Sequence, residues 1–180
     1  MRQRQAPLPL VWAHLCVGVV LLSGCGKHPT PEQADVIAAI ERLGGRVKCD
    51  DRQTVVEVAL GGTQVSDAQL EKLGVFPELK TLSLFDSAVG DDGLAKLGPC
   101  PVLETLYLGR TRVTDAGVKQ FVRFPTLKNL GLSDTRVSDA GIRQLASLAN
   151  LRTINVHRTQ VTVTGGNDLK AALPQLVIHY

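Results

Sequence analysis

The first residues that could carry out chemistry are a histidine, a serine and an aspartate at repeat-related positions. Ser133 and Asp134 stand at the seventh and eighth positions of one sequence repeat, and His157 stands at the seventh position of the next. Within hydrogen-bond reach of one another, these side chains would provide the base, nucleophile and orienting acid of a hydrolase. A triad also needs an oxyanion site and a cleft. Short side chains on a sheet offer neither, so we expect His157 to be a solvated surface residue and the protein to be non-catalytic.

Cysteines and metal-binding patterns offer little further chemistry. Cys100 shares its repeat position with Phe76 and Phe124, so we expect it to be a small buried hydrophobic residue. A disulfide with Cys49 stays open as an alternative, because an exported chain permits one. No C-x-x-C or H-x-x-x-H spacing occurs, and Asp91–Gly93 lacks the rest of a calcium loop. We expect no metal and no cofactor.

The N-terminus has the pattern of a targeting segment. The chain opens with MRQRQAPLPLVWAHLCVGVVLLSGC, in which two arginines precede a mainly apolar run from Leu8 to Leu22. A membrane-spanning helix needs about 20 apolar residues, which is more than this run provides. The pattern therefore predicts a signal peptide over residues 1–24 that is removed on export.

The tetrapeptide LSGC at Leu22–Cys25 resembles the bacterial lipobox. The resemblance implies that Cys25 is acylated, becomes the first mature residue and anchors the chain to a bacterial membrane, since two or more acyl chains give stable anchoring. Ordinary secretory cleavage that leaves Cys25 free, and an uncleaved anchor, remain alternatives. Gly26 stands where an aspartate would resemble an inner-membrane retention signal, and the choice between the inner and outer membrane stays open.

Composition and charge favour one globular domain that does not bind nucleic acid. The 180 residues are 44% apolar and 21% charged, which is ordinary material for one core. Loss of Arg2 and Arg4 with the signal peptide leaves 18 basic and 17 acidic residues. Nucleic-acid binders gather a strong positive excess on one face, whereas the charges of this chain are interspersed.

Residues 25–54 predict a tether followed by a cap. After a tether at 25–30, the pattern TPEQ at Thr30–Gln33 offers an N-cap threonine, a proline at the first helical position and a capping-box glutamine. Apolar residues then recur at helical spacing until Gly44 and Gly45 end the helix. Val47 and Cys49 alternate with charged residues and predict a short strand, so residues 31–54 form an N-terminal cap.

From Val55 onward the chain repeats itself with a constant period of 24 residues. The stretch TRVTDAG at Thr111–Gly117 returns as TRVSDAG at Thr135–Gly141. Each row carries the frame L-x-x-L-x-L, then a hydroxyl residue, a valine and an aspartate. The frame columns are Val55, Leu79, Leu103, Leu127 and Leu151; Val58, Leu82, Leu106, Leu130 and Ile154; and Leu60, Leu84, Leu108, Leu132 and Val156.

This pattern resembles the leucine-rich-repeat family, in the helix-containing version of ribonuclease-inhibitor-like and F-box-associated repeats. The resemblance implies an α/β fold: a right-handed solenoid with a parallel sheet on one face and short helices on the other. It covers residues 55–180 as about five rows and a terminal strand. Threonine or serine replaces the usual asparagine or cysteine after the strand. We expect the last row to break register, with Val163 in place of aspartate and TGGN inserted.

The other columns predict how neighbouring rows are held together. The hydroxyl residues are expected to bond backbone groups of neighbouring turns, and they are Thr63, Ser87, Thr111, Thr135 and Thr159. In VTDAGV and VSDAGI, the threonine, serine or aspartate is expected to cap a short helix. Apolar pairs three residues apart give each helix one buried edge. Since no row can cover its own apolar face, each needs its neighbours.

The solvent-facing side of the predicted sheet is the candidate binding surface. Phe85 and Tyr107 are aromatic residues at outward positions of polar strands. Aromatic and arginine residues together have the composition of an interaction hot spot. The candidate partner-binding residues are Phe85, Tyr107, Arg110, Arg112, Asn129, Arg136, Asn155 and His157. The alternative is that the two aromatics only cover glycines of neighbouring rows, at Gly109 or Gly131. Five rows at about 4.8 Å each make a strip of only some 25 Å.

These patterns together predict a lipid-anchored, non-catalytic binding or scaffold module of the bacterial cell envelope. Its expected partner is a protein or an envelope polymer, bound through the exposed sheet face. The alternative is a structural protein that self-associates weakly through its final strand, Leu176–Tyr180, because open strand edges invite pairing. A hydrolase that uses His157 is the remote alternative.

Overall fold

The computed structural model describes residues 29–180. Residues 1–28, which include the predicted signal peptide, the lipobox cysteine Cys25 and most of the tether, lie outside the described residues. The described part forms one seven-stranded sheet in which the strands follow one another in chain order. Within residues 29–180 no helix has the length and apolar character needed to cross a membrane.

The structure begins with a helix and a hairpin. Helix α1 spans Pro31–Arg42, and its N-cap Thr30 forms the predicted capping box with Gln33. Strand β1 (Arg46–Cys49) and strand β2 (Val55–Ala59) pair antiparallel. The Asp50 carboxylate accepts the backbone N–H groups of Arg52 and Thr54, which closes the turn between the strands. These bonds, with that of Thr54 contributing most, lower the pKa of Asp50 below its ordinary value.

Each following row of the repeat forms one coil, with a strand on one side and a helical segment on the other. The strands are β3 (Thr81–Ser83), β4 (Thr105–Tyr107), β5 (Asn129–Gly131), β6 (Thr153–Asn155) and β7 (Val177–His179). The α-helices are α2 (Asp67–Glu71), α3 (Asp91–Lys96), α4 (Asp115–Val118), α5 (Asp139–Arg143) and α6 (Val163–Ala172). The 3₁₀ helices are Lys72–Val75, Lys119–Arg123 and Gln144–Ser147.

Strands β2 to β7 are parallel and keep a constant register from one row to the next. Leu82 pairs with Leu106, Leu106 with Leu130, and Leu130 with Ile154. All four side chains are at most 2% exposed and belong to one continuous apolar core. The middle residue of each strand thus points between the sheet and the helices, as the frame predicts, and neighbouring coils share one interior.

The final coil keeps the register, and the prediction of an inserted TGGN is wrong. Thr153 pairs with Val177, so the spacing of the earlier rows is unchanged. Gly165 follows Gly141 of the previous row by the same interval, so it belongs to the repeat rather than to an insertion. Gly166 takes the position of a buried apolar residue of the earlier helices. The hydroxyl end of the Tyr180 side chain lies where a side chain of residue 166 would be, so the terminal tyrosine occupies the room that this glycine leaves.

Each hydroxyl of the repeated Thr/Ser column donates a hydrogen bond to a backbone carbonyl of its own coil. This corrects the expectation that these hydroxyls bond neighbouring turns. Thr111 Oγ1 donates to the carbonyl of Leu108, three residues earlier, at 2.6 Å. The same bond recurs from Thr63, Ser87, Thr135 and Thr159 at 2.6–2.7 Å. The hydroxyl therefore closes the turn after each strand, where it satisfies a buried carbonyl oxygen.

Three aspartates form paired hydrogen bonds between neighbouring coils. The Asp91 carboxylate accepts the N–H of Thr114 at 2.8 Å and its hydroxyl at 2.6 Å. Asp115 accepts the same two bonds from Ser138 at 2.7 and 2.6 Å. Asp139 accepts both from Thr162 at 2.7 Å. These three paired bonds, called the carboxylate ladder below, join the N-termini of successive helices.

Candidate functional site

The exposed sheet face holds a cavity of about 370 Å³. It lies across strands β3 to β7, so every coil from the second onward contributes to it. The lining residues are Phe85, Tyr107, Gly109, Asn129, Leu130, Gly131, Ser133, Thr153, Asn155 and His179. Because outward residues of parallel in-register strands stand in rows, the sequence repeat itself brings these side chains together.

The two aromatic side chains lean on the glycines of the next coil. A Cβ at Gly109 would lie 2.9 Å from Cδ2 of Phe85, and one at Gly131 would lie 3.0 Å from Cδ1 of Tyr107. Phe85 is nevertheless 40% exposed and Tyr107 46% exposed. Both interpretations therefore describe the structure. The rings pack over the glycines of the next coil, and part of each ring still faces solvent.

Polar groups beside the rings are only partly used within the protein. Asn129 Nδ2 donates to Thr105 Oγ1 at 3.1 Å, and Asn155 Oδ1 accepts the N–H of His157 at 3.0 Å. Each amide has further donor or acceptor capacity. The lining of the cavity contains no lysine, arginine, aspartate or glutamate, so it offers aromatic surface and neutral hydrogen-bonding groups.

Charged residues form a rim at the end of the strands. The Arg110 guanidinium lies 5.5 Å from the ring centroid of Phe85 and 4.0 Å from the carboxylate of Asp134. Arg158 approaches the same carboxylate at 3.5 Å. The arrangement holds Arg110 beside the aromatic platform by a cation–π contact and an ion pair.

The rim does not form the triad considered from the sequence. The Asp134 carboxylate faces the two arginines, and within residues 29–180 no hydrogen bond joins the imidazole of His157 to Ser133 or Asp134. His157 is exposed, as expected, and lies outside the cavity lining.

Arg112 and Arg136 lie outside the cavity lining. Arg112 forms a parallel backbone bridge with Gly90, and Arg136 forms one with Thr114. Both lie on the segment that leads into the next helix, after the strand and its turn. The structure therefore brings Phe85, Tyr107, Asn129 and Asn155 together around the cavity, adds Arg110 at its rim, and separates Arg112, Arg136 and His157 from the lining.

His179 and Thr153 line the cavity but were not among the candidate residues. His179 takes the position of Asn155 in the following row, and the two residues are register partners. Extending the 24-residue spacing from Asn155 to the last strand would have placed His179 beside Asn155. The position of His179 near the C-terminus obscured this repeat relation.

The cysteines and acidic groups of residues 29–180 lie apart from the cavity lining. Cys100 is a free buried thiol, so the structure does not contain the alternative disulfide with Cys49. Burial raises the pKa of Cys100 to about 11. Within that part of the chain no three His, Cys, Asp or Glu side chains are grouped so that they could hold a metal ion.

The chain is similar to one family model and to solved structures of other proteins. A family model described as Leucine Rich repeat matches residues 78–98. The chain is similar to the structure of a pollen receptor kinase 3, with 24% identity, 64% of this chain and 56% of that chain covered, and a TM-score of 0.47. It thus spans little more than half of that structure. A search of curated proteins finds no match.

Two further solved structures are similar. One is the leucine-rich-repeat ectodomain of the Arabidopsis receptor kinase HAESA in complex with an N-terminally extended IDA peptide hormone, with 17% identity, 83% and 30% coverage and a TM-score of 0.49. The other is internalin C2 of Listeria monocytogenes, with 16% identity, 83% and 82% coverage and a TM-score of 0.45. With its evenly spaced in-register coils and its L-x-x-L-x-L core, the chain has the fold of a leucine-rich-repeat solenoid, and the matching repeat model lies within that core.

Proposed function

We propose that the protein is a non-catalytic binding module of the bacterial cell envelope that holds a partner protein on its exposed sheet face. The observation that carries this proposal is the cavity of about 370 Å³ beside two half-exposed aromatic rings. Its volume lies near the lower end of the range for ligand sites. The surface therefore suits one projecting segment of a partner rather than an extended obligate interface.

The chemistry of the surface favours specific capture over general adhesion. Tyr107 and Phe85 supply rigid aromatic area, and Asn129 and Asn155 supply neutral hydrogen-bonding groups at fixed positions on strands. Aromatic anchors surrounded by weaker polar contacts are the usual composition of binding hot spots. Rim charges such as Arg110 and Asp134 pair with each other, so we expect only modest salt dependence of partner binding.

Position-specific photo-crosslinking in the native envelope tests this proposal. A photoreactive amino acid at Asn155 should give one discrete cross-linked protein, whereas the same group at Val122, an exposed residue of a 3₁₀ helix, should not. Adding Phe85→Ala and Tyr107→Ala should remove the Asn155 product. The proposal fails if positions 155 and 122 give the same products, or if the double variant leaves the yield unchanged while its unfolding midpoint stays at the wild-type value.

Anchoring through Cys25 forms the second part of the proposal. It is supported by the LSGC tetrapeptide behind a short apolar run. Metabolic labelling with a radioactive fatty acid should mark the wild-type chain and a Cys49→Ala control, and Cys25→Ala should abolish the label. Labelling of the Cys25→Ala chain would rule out this anchor without affecting the binding proposal.

A further inference from the structure

The two edges of the sheet differ in how they are protected against pairing with another strand. At one edge, β1 exposes Arg46 and Lys48, and its register with β2 shifts between Lys48 and Cys49. Charged side chains, lysine above all, and bulges are the devices by which proteins keep edge strands from pairing. The β1 edge therefore carries two such devices.

The edge formed by β7 carries neither device. Its outward residues are Val177 and His179, its pairing with β6 is regular, and within residues 29–180 no strand lies on its other side. The Val177 N–H donates to the Arg152 carbonyl at 2.8 Å, and the His179 carbonyl accepts the Val156 N–H at 2.8 Å. Because backbone groups alternate in direction along a strand, the N–H and C=O of Ile178 point outward from the sheet.

The same end of the solenoid also concentrates exposed apolar side chains. Six large hydrophobic residues are exposed within residues 29–180, and three of them belong to the final coil: Val163 at 63%, Val177 at 51% and Tyr180 at 46%. Val163 stands where the earlier coils have the aspartate that reaches the next coil. An apolar residue thus replaces a charged one at the position that faces along the array.

We propose that β7 is a homodimerisation edge that pairs antiparallel with β7 of a second copy of this chain. In the two-fold arrangement the two Ile178 residues oppose each other and exchange two backbone hydrogen bonds. Val177 of each copy then faces His179 of the other. The two exposed sheet faces continue into one another, so the dimer presents two cavities on one surface.

The contrast between the edges selects this occupant. Head-to-tail stacking would bring β7 against the β1 end, where Arg46 and Lys48 oppose pairing. Two-fold pairing needs only the unprotected edge, on both partners, and closes at two copies. Val177, which is 51% exposed in one copy, is then covered on both partners.

Sedimentation velocity of the full chain in mild detergent, over a wide range of concentration, tests the proposal. The wild type should convert from monomer to dimer and form nothing larger. Val177→Lys copies the protection of the β1 edge and should raise the dimer dissociation constant about tenfold or more, corresponding to about 1.4 kcal/mol. Val122→Lys is the matched control, because it also places a lysine at an exposed valine, and it should behave as the wild type.

Disulfide trapping gives a second readout that does not depend on weakening the edge. In a Cys49→Ser background, chains carrying Val177→Cys and chains carrying His179→Cys should form a mixed disulfide dimer when they are oxidised together, and much less when each is oxidised alone. A wild type that stays monomeric at every concentration overturns the proposal. So do species larger than a dimer, equal effects of lysine at 177 and 122, and cross-linking that does not require both cysteines.

Discussion

The junction between the first two full coils and the junctions that follow it are built from the same columns but held differently. At the later junctions, Asp91, Asp115 and Asp139 accept two hydrogen bonds from the next coil. At the earlier one, Gly90 stands at the repeat position of Thr114 and has no hydroxyl, and Asp67 forms an exposed ion pair with Lys96 at 3.2 Å. The first junction therefore has a surface contact where the later ones have two hydrogen bonds.

The inter-coil bond explains why threonine and serine, rather than aspartate, precede the later helices. The Thr114 hydroxyl donates to Asp91 and accepts the N–H of Ala116 at 3.2 Å. One hydroxyl oxygen can donate to the previous coil and accept from its own helix at once, whereas a capping carboxylate cannot donate. The repeated TDAG and SDAG motifs therefore serve as both a helix cap and an inter-coil connection.

The largest difference between the junctions is expected from removing the carboxylates. Asp115→Ala leaves the N–H and hydroxyl of Ser138 without their acceptor, in a half-buried position. We expect a loss of about 2 kcal/mol in the free energy of unfolding. Asp67→Ala removes only an exposed ion pair and should cost less than about 1 kcal/mol. Chemical denaturation measures both, and equal losses would contradict the distinction.

A smaller difference between the junctions is expected when the glycine packed against each aspartate is replaced by alanine. A Cβ at Gly117 would meet the carboxylate of Asp91, which two bonds hold in place, so Gly117→Ala should destabilise by about 1 to 2 kcal/mol. At Gly93 the nearest atom is Asp67 Oδ1, at 2.9 Å, and that side chain can move aside. Gly93→Ala should therefore be close to neutral. Thermal unfolding of the two variants compares them directly, and the reverse order would show that Asp91 yields more easily than Asp67.

Restoring the missing hydroxyl should reduce the contrast. Gly90 has φ near −128°, which any residue can adopt, and a Cβ there would make only ordinary contact, 3.6 Å from Cβ of Arg112. Gly90→Ser should therefore stabilise the fold by about 0.5 to 1 kcal/mol by bonding Asp67. In an Asp67→Ala background the gain should shrink. An equal gain in both backgrounds would mean that the serine acts only on its own helix.

The smallest expected effect is on pH dependence at the last rung. The bonds from the N–H and then the hydroxyl of Thr162 lower the pKa of Asp139 below its ordinary 3.8. A lowered folded-state pKa stabilises the fold above the unfolded value, and this contribution is lost as pH falls through the folded value. Thr162→Val keeps the N–H bond, so the pKa should rise only part of the way. Carbon-detected NMR titration of the carboxylate measures it, and an unchanged pKa would assign the whole shift to the backbone.

The core was predictable from the sequence because its physical cause is periodic. Leu82, Leu106 and Leu130 recur at one constant interval, and nothing but stacking needs that recurrence. The carboxylate ladder was missed because helix capping was considered within one row, whereas Asp115 bonds Ser138, 23 residues away. The aspartate column and the threonine or serine column were both visible in the sequence, but their pairing depends on how far one coil overlaps the next.

The candidate site was predictable only in part. Alternation along the strands identified the outward positions of Tyr107, Asn129 and Asn155, which line the cavity. It could not show that Arg112 and Arg136 lie after the strand and its turn, outside the cavity lining, since that depends on where each strand ends. His179 required extending the repeat through a row that seemed irregular. Tyr180 shows why that row differs, because the hydroxyl end of its side chain lies where a side chain of residue 166 would be.

The carboxylate ladder also bears on how the molecule can change in length. Each inner coil presents a carboxylate on one side and a hydroxyl with a glycine on the other, at matching heights. A tandem copy of residues 115–138 would therefore meet complementary surfaces at both of its faces, with its strand already in register. The solenoid can therefore lengthen by duplication of this unit, because an added unit forms the same contacts as the existing ones.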